Sequence, residues 1–219
     1  MPMSPQLIDL LITSLLETLL MVGVAGGIAV LVGIPLGVTL IVTGRGALLQ
    51  NLSVNHVLGV IINATRSVPF VILMVAIIPF TRWVAQTSIG TTAAIVPLSV
   101  AAIPFMARIA ENAMREVDPG LITAARAMGA SPLQIICKVL LPEALPGLVA
   151  ATIVTIVSLI GYSAMAGAIG GGGLGDLGIR YGYQRFLPEV MLAVVLVLII
   201  LVQAVQSFGD WLVRRMSHR

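Results

Sequence analysis

Charge is scarce in this sequence. Only 10% of its 219 residues are Asp, Glu, Lys or Arg, against about 25% in soluble domains, while 58% are hydrophobic and the mean hydropathy is +1.09. Aromatic residues make up 5%, and the basic residues behind the net charge of +3 are scattered, which argues against a nucleic-acid-binding surface. The composition predicts an all-α polytopic membrane protein.

Residues for catalysis, metal binding and nucleotide binding are also missing. His56 and His218 stand far apart in the sequence with no cluster of Cys or carboxylates nearby, which argues against a metal site or a catalytic triad. Lys138 is the only lysine and does not follow a G-x-x-x-x-G loop, so a Walker A phosphate site is absent. We expect no cofactor and no enzymatic activity, and any ATP must be hydrolysed by another chain.

Cysteine and early basic residues are scarce as well. The single Cys137 excludes an internal disulfide bond and is interpreted as a small apolar residue. The first basic residue is Arg45, so a secretory signal with a basic N-terminal region is not expected. The hydrophobic runs hold no series of Asp, His and Glu of the kind that proton relays use, which disfavours a proton-coupled carrier.

What the sequence does contain is five hydrophobic runs, each close to the ~20 residues that a helix needs to cross a bilayer. Pro69, Pro97 and Pro104 predict bends, because membrane helices tolerate proline where neighbours satisfy the freed carbonyl groups. Arg66 is interpreted as a residue near a helix start that either extends to the membrane surface or carries a function. The predicted spans are residues 19–42, 57–80, 89–109, 148–169 and 188–212.

Glycines of the first span stand at small-xxx-small spacing, as the pairs Gly23/Gly27 and Gly33/Gly37. This spacing lets helix backbones approach closely, so it predicts that the first helix packs against other helices.

Basic residues fix the predicted orientation. With the N-terminus outside, most of them face the cytoplasm, as the positive-inside rule requires. We therefore predict an extracytoplasmic segment 1–14, a transmembrane domain 15–212 and a cytoplasmic tail 213–219, in a bacterial inner membrane. The cytoplasmic set is Arg45, Arg66, Arg108, Arg115, Arg126, Lys138, Arg214, Arg215 and Arg219, and the outer set is Arg82, Arg180 and Arg185.

The longest stretch between predicted spans, residues 110–147, reads as two short helices with a break. Apolar residues at i, i+3, i+4 and i+7 form one face of the first helix, which Gly129 ends. Ser131 and Gln134 form a capping box for the second, and Pro142 is predicted to end it. The pair fits either a plug for a groove on another protein or an amphipathic element at the membrane interface. The apolar face is Leu121, Ala124, Ala125 and Met128.

The fourth span is the candidate translocation pathway. One stripe mixes small, polar and flexible side chains, which suits a pore that closes by side-chain contact, with Met165 as the gate. A plain helix–helix interface is the alternative. The run 170–175 formally matches G-x-G-x-x-G but follows a membrane helix rather than a β-strand, so we interpret it as a hinge, a close-packed loop or an outer docking surface. The stripe is Ser158, Gly161, Tyr162, Met165 and Ile169.

The loop 110–147 resembles the EAA loop of binding-protein-dependent ABC importer permeases, which reads E-A-A, three residues, G, nine residues, I-x-L-P. Thr123 stands in place of the acidic residue and Val139 in place of the isoleucine. The resemblance implies that this loop contacts an ATPase. The implied contact residues are Thr123, Ala124, Ala125, Met128, Gly129, Val139, Leu141 and Pro142.

Almost the whole chain is similar to the permease subunits of methionine importers, through RSVPF at 66–70, the segment 125–148 and GYSAMAGAIGGGGLG at 161–175. This resemblance implies a type I ABC importer permease fold with five transmembrane helices, surrounded by lipid. It also implies a second copy of the chain, two cytoplasmic ATP-binding subunits and an extracytoplasmic methionine-binding lipoprotein. The implied substrate is L-methionine, with D-methionine a candidate second substrate; the alternatives are another amino acid or a quaternary amine.

Overall fold

The computed structural model describes residues 5–216, and every regular element in that range is helical. Four stretches are long and apolar enough to span a membrane, and the bent pair α2–α3 makes a fifth if it counts as one span. The elements are α1 (Pro5–Thr43), α2 (Leu52–Ser67), α3 (Phe70–Ala76), α4 (Ile78–Ala85), α5 (Thr91–Arg115), α6 (Pro119–Ala127), α7 (Pro132–Ile135), a π-helical segment (Ile136–Leu140), α8 (Leu141–Gly167), α9 (Gly173–Leu177), a second π-helical segment (Gly178–Tyr183) and α10 (Pro188–Met216).

Helix α1 is longer than the sequence pattern predicted. It begins at Pro5 rather than near residue 19, so residues 5–14 continue the first membrane helix instead of forming a separate segment. The helix can extend this far because the added residues include no internal proline or glycine that would break it. Residues 1–4, and 217–219 of the predicted tail, lie outside the described range; residues 213–216 belong to α10.

The two glycine pairs of α1 have different surroundings. A Cβ atom on Gly33 would lie 2.8 Å from Cβ of Met106, and one on Gly37 would lie 2.7 Å from the carbonyl oxygen of Ala107, so this pair lets α1 pack against α5 as predicted. A Cβ on Gly23 or Gly27 would meet no atom within 4 Å. These two glycines line an open apolar groove, and the predicted packing is wrong for them within this chain.

The second predicted span is divided at Pro69. Helices α2 and α3 meet at an angle of 103°, because Val68, the residue before the proline, takes an extended conformation. The predicted bend is therefore present, but it is large enough to divide the span into two separate helices. Arg66 lies in the last turn of α2, not near a helix start, and its guanidinium carbon stands 6.0 Å from the centre of the Phe105 ring.

Helix α5 is the centre of the bundle and contacts α1, α2, α3, α4 and α8. Leu98 and Met106 are fully buried on it, and the prolines Pro97 and Pro104 lie inside the helix and are also buried. Since lipid is as apolar as these side chains, their packing stabilises the bundle by close van der Waals contact rather than by removal from water.

Helix α7, the π-helical segment and α8 form one continuous helical stretch of 36 residues, Pro132–Gly167. The prediction that Pro142 ends the second loop helix is wrong. The N–H of Leu141 donates to the carbonyl of Ile136, five residues back, and Pro142 follows this wider turn, at the start of α8.

The glycine run after α8 is a close-packed turn. A Cβ on Gly171 would lie 2.7 Å from the carbonyl oxygen of Ala166, and one on Gly167 would lie 2.8 Å from that of Gly172. The sequence allowed a hinge, a close-packed loop or an outer docking surface for this run. The short distances support the close-packed loop. Cys137, interpreted as an apolar filler, is instead exposed on the π-helical segment before α8.

Candidate coupling loop and translocation pathway

The turn between α6 and α7 is built around Gly129. Its φ angle is +81°, a conformation that side chains with a Cβ rarely adopt. The N–H of Gly129 donates to the carbonyl of Arg126 at 2.9 Å, and the N–H of Ala130 donates to that of Ala125 at 3.1 Å. These two bonds form a Schellman turn, which satisfies the last carbonyls of α6 and reverses the chain sharply.

Both loop helices start at a side-chain cap. Asp118 accepts a hydrogen bond from the N–H of Gly120 at 2.7 Å at the start of α6. At α7, the hydroxyl of Ser131 accepts from the N–H of Gln134 at 3.4 Å, and the side chain of Gln134 accepts from the N–H of Ser131 at 2.8 Å. The predicted capping box is confirmed, and the caps make the helix–turn–helix geometry a local property of the sequence.

The loop presents one apolar face to its own bundle and one to solvent. Ala125 and Ile135 are 4% and 1% exposed, whereas Met128 and Leu133 are 81% and 70% exposed. Two large hydrophobic side chains beside a rigid turn form an apolar surface that no residue of the described range 5–216 covers. Of the other predicted contact residues, Thr123, Ala124, Gly129 and Pro142 are exposed, and Val139 and Leu141 are half-buried.

Thr123 does not replace the charge that the EAA pattern carries at its position. Its hydroxyl donates to the carbonyl of Pro119 at 2.9 Å, one turn back along α6. The face of α6 that carries Thr123 and Ala124 therefore offers a hydroxyl bonded within its own helix and a methyl group, and no carboxylate.

A buried ion cluster stands where α5 leads into the loop. Glu111 is 2% exposed and accepts hydrogen bonds from Arg108 at 2.7 Å and from Arg115 at 2.5 Å. Arg108 also donates to the side-chain oxygen of Asn63 on α2 at 2.8 Å. Sequence reasoning missed this cluster because the predicted third span stopped at residue 109. Arginines three residues before Glu111 and four residues after it were the available signal.

The predicted pathway stripe on α8 divides into two groups. Gly161 and Met165 are exposed, and Ser158 lines a cleft between α8 and α10, its hydroxyl bonded to the carbonyl of Val154 at 2.9 Å. Tyr162 instead points into the bundle, where its ring stacks on Phe70 with centroids 4.8 Å apart. The structure therefore brings Ser158, Gly161 and Met165 onto one open face and places Tyr162 elsewhere.

Ile169 lies beyond the end of α8, in the close-packed turn. It lines a separate cavity of about 260 Å³ beside Thr81 and Ile89, which belong to α4 and to the segment before α5. The turn is held at two places. The N–H of Gly90 donates to the carbonyl of Gly170 at 2.8 Å, and the N–H of Gly173 donates to the carboxylate of Glu17 on α1 at 2.7 Å.

No group of three or more His, Cys, Asp and Glu side chains that could hold a metal ion occurs in residues 5–216. On the predicted outer side, Asp176 and Arg180 form an ion pair. The hydrogen bond from Arg180 to Asp176 raises the pKa of this arginine above its ordinary value.

Residues 29–218 match the family of binding-protein-dependent transport system inner membrane components. The chain belongs to this family. It is thus a multi-pass inner-membrane permease, a subunit that moves a solute rather than one that transforms it.

Individual members of the family are similar over nearly the whole chain. The probable D-methionine transport system permease protein MetI of Vibrio cholerae serotype O1 is 56% identical over 96% of this chain and 94% of its own length. The D-methionine transport system permease protein MetI of Escherichia coli K12 is 52% identical over 75% of this chain and 76% of its own.

Solved transporter structures have the same fold. A chain of the MetNI methionine ABC transporter, in an inward-facing conformation, superposes with a TM-score of 0.97 at 50% identity, covering 99% of this chain and 100% of that chain. An amino acid ABC transporter solved with histidines gives a TM-score of 0.79 at 20% identity over 95% and 94% of the two chains, a likeness of fold alone. The fold prediction of an importer permease is confirmed.

Proposed function

We propose that this chain is the membrane-spanning subunit of an ATP-driven importer that carries methionine into the cytoplasm. The observation that carries the proposal is the full-length overlap with a chain of the methionine transporter at 50% identity. The relatives named for D-methionine transport support D-methionine beside L-methionine as a substrate.

The working unit is two copies of this chain with two ATP-binding subunits and an extracytoplasmic methionine-binding lipoprotein. ATP is hydrolysed by the separate subunits, since this sequence has one lysine and no phosphate-binding glycine loop before it. The N-terminus lies outside and the C-terminus in the cytoplasm, because this arrangement places most basic residues inside.

The loop centred on Gly129 is the contact with the ATP-binding subunit. Met128 and Leu133 insert into a groove on that subunit, since both are largely exposed here and both flank a turn fixed by backbone hydrogen bonds. On the α6 side the contact includes no carboxylate at position 123, because Thr123 presents a hydroxyl group bonded within its own helix. The other contact residues are Ala124, Gly129, Val139, Leu141 and Pro142. The prediction that Ala125 belongs to this contact is not kept, because its side chain is only 4% exposed.

Movement of the loop reaches the pathway without crossing a hinge. Helix α7 continues through the π-helical segment into α8, and α8 carries Ser158, Gly161 and Met165. Closure of the ATP-binding subunits displaces the loop, tilts α8 and opens the region of Met165 to the outside; hydrolysis returns the pathway inward. ATP on one side and the loaded binding protein on the other favour different states, as alternating access requires.

The test is ATP-dependent uptake of labelled L-methionine into vesicles that contain this chain with its co-purified ATP-binding subunit and binding protein. Unlabelled D-methionine, other amino acids and betaine serve as competitors. We expect saturable uptake that only the methionines compete. Transport of a different solute would overturn the substrate, and a lack of any ATP-dependent uptake would overturn the importer.

A further inference from the structure

Helix α10 carries a polar stripe to which no role has yet been given. Its members stand at i, i+3, i+4, i+7 and i+11, so they share one face of the helix, and all of them are exposed. The stripe consists of Gln203, Gln206, Ser207, Asp210 and Arg214.

The depth of the stripe is inconsistent with contact to lipid. Helix α10 has 29 residues and is about 43 Å long, and Gln203 lies at its middle. An amide group at that depth faces the interior of an assembly or a water-filled cavity, because hydrocarbon offers it no hydrogen bonds. The part of the stripe around Gln203 is therefore covered by water or protein in the membrane.

The neighbouring face of the same helix has the opposite character. Ala204, Phe208 and Trp211 each follow a stripe residue directly, and the rings of Phe208 and Trp211 have centroids 5.9 Å apart. Phe208 is 60% exposed and Trp211 48%. Aromatic side chains near the end of a membrane helix are typical of a lipid-facing surface.

The stripe lines a cleft of about 630 Å³ between α10 and α8. Its two walls are fixed close together, because a Cβ on Gly209 of α10 would lie 2.5 Å from Cγ1 of Ile153 on α8. Ser158 lines the same cleft and belongs to the open face of α8 that leads to Met165. The cleft is thus continuous with the proposed pathway and extends it toward the C-terminal end of α10.

The groups in the cleft suit a solute with N–H bonds. Two amide oxygens, a hydroxyl group and the carboxylate of Asp210 accept hydrogen bonds, while Arg214, one turn further, supplies a cation suited to a carboxylate. Among the described residues that line the cleft none is aromatic, so there is no aromatic cage of the kind that holds a quaternary ammonium ion.

We propose that this cleft is the cytoplasmic half of the translocation pathway, and that Asp210 and the amide oxygens of Gln203 and Gln206 receive the primary ammonium group of an amino acid. The inference rests on the proposed importer function and narrows its substrate to amino acids with a free ammonium group. It excludes quaternary amines.

The rate at which introduced cysteines are modified tests whether the stripe is exposed to water. In a Cys137→Ser background, cysteine is placed at Ser207 and, as a matched control at the same depth, at Phe208; Gln203 and Ala204 form a second pair. Each complete transporter, in vesicles with the cytoplasmic side outward, is treated with a charged, membrane-impermeant methanethiosulfonate. We expect modification at positions 203 and 207 to be at least about tenfold faster than at 204 and 208, because hydrocarbon excludes the charged reagent. If the modification rates within both pairs are equal or inverted, the proposal of a water-filled pathway along the stripe is overturned.

Substrate contact is tested on the same complex. L-methionine should slow modification at position 207, and Asp210→Asn should lower maximal uptake about tenfold, the effect of losing one charge-assisted hydrogen bond. Asp210→Glu should restore uptake. The KM of the Asp210→Asn transporter should not change, because the binding protein sets it. Full uptake by Asp210→Asn would overturn the ammonium site. A transporter that carries no methionine would fail the uptake assay yet keep the accessibility difference, so the two failures are distinguishable.

Discussion

Arg108 joins Glu111 on its own helix to Asn63 on a different one. One guanidinium nitrogen stands 2.7 Å from the Glu111 carboxylate, and the other stands 2.8 Å from the side-chain oxygen of Asn63. Because the carboxylate is 2% exposed, it depends on its arginine partners for its charge to be tolerated there. The cluster connects α2 to α5 at the end of α5 that leads into the coupling loop.

Glu111→Gln should destabilise the permease by about 2 to 4 kcal/mol, because it leaves two arginines without their carboxylate. Thermal unfolding of the purified complex, followed by tryptophan fluorescence, measures the effect. Asn63→Ala, which removes only the bond to α2, should cost about 1 kcal/mol. An equal melting temperature for Glu111→Gln and the parent would show that the cluster does not stabilise the fold.

Gly129→Val should prevent binding of the ATP-binding subunit while membrane insertion remains normal. A Cβ at this position would meet no atom within 4 Å, so the effect comes from the positive φ angle, which costs a β-branched residue about 1 to 3 kcal/mol. Co-purification of the ATP-binding subunit and uptake are the readouts. Gly129→Asn is the control, since asparagine tolerates this conformation and should retain both. Normal uptake by the valine variant would contradict the proposed role of the turn.

Met128→Asp should weaken binding of the ATP-binding subunit at least about tenfold, since it puts a charge into an apolar contact. The side chain is 81% exposed in the chain alone, so the fold should not change. Pull-down with the purified subunit measures the affinity, and Met128→Leu keeps the apolar contact as control. If both variants bind equally well, Met128 does not insert into the groove.

Met165→Ala should raise the solute leak or the basal ATPase rate of the reconstituted transporter, because it removes the side chain that closes the proposed gate. Met165 is 47% exposed. Leu20→Ala is the control, because Leu20 lies on α1 and is similarly exposed, at 51%. Unchanged leak and ATPase rates in Met165→Ala would favour a packing role for this residue.

The coupling loop could be predicted from the sequence because its geometry is set by neighbouring residues. Gly129 supplies the positive φ angle, and Ser131 and Gln134 satisfy each other's backbone groups within three residues. Chemistry of such short range does not depend on the rest of the fold. The family pattern added the contact surface, which no single helix face specifies.

Prolines and distant polar contacts could not be predicted in the same way. Pro69 divides its span, whereas Pro142 sits in a helix that continues, because a π-helical turn precedes it. Whether that turn forms is not evident from the proline itself. The bond from Arg108 crosses 45 positions of sequence to Asn63, and such partners become visible only once α2 packs on α5.

The uninterrupted stretch Pro132–Gly167 makes the coupling loop one end of a lever arm. At 1.5 Å per residue, 36 residues extend about 54 Å, so a tilt of about 5° at the loop displaces the far end by about 5 Å. A displacement of that size is comparable to the length of the Met165 side chain. In the proposed mechanism, a small movement of the ATP-binding subunits would be amplified by the length of this helix, without a flexible joint along it.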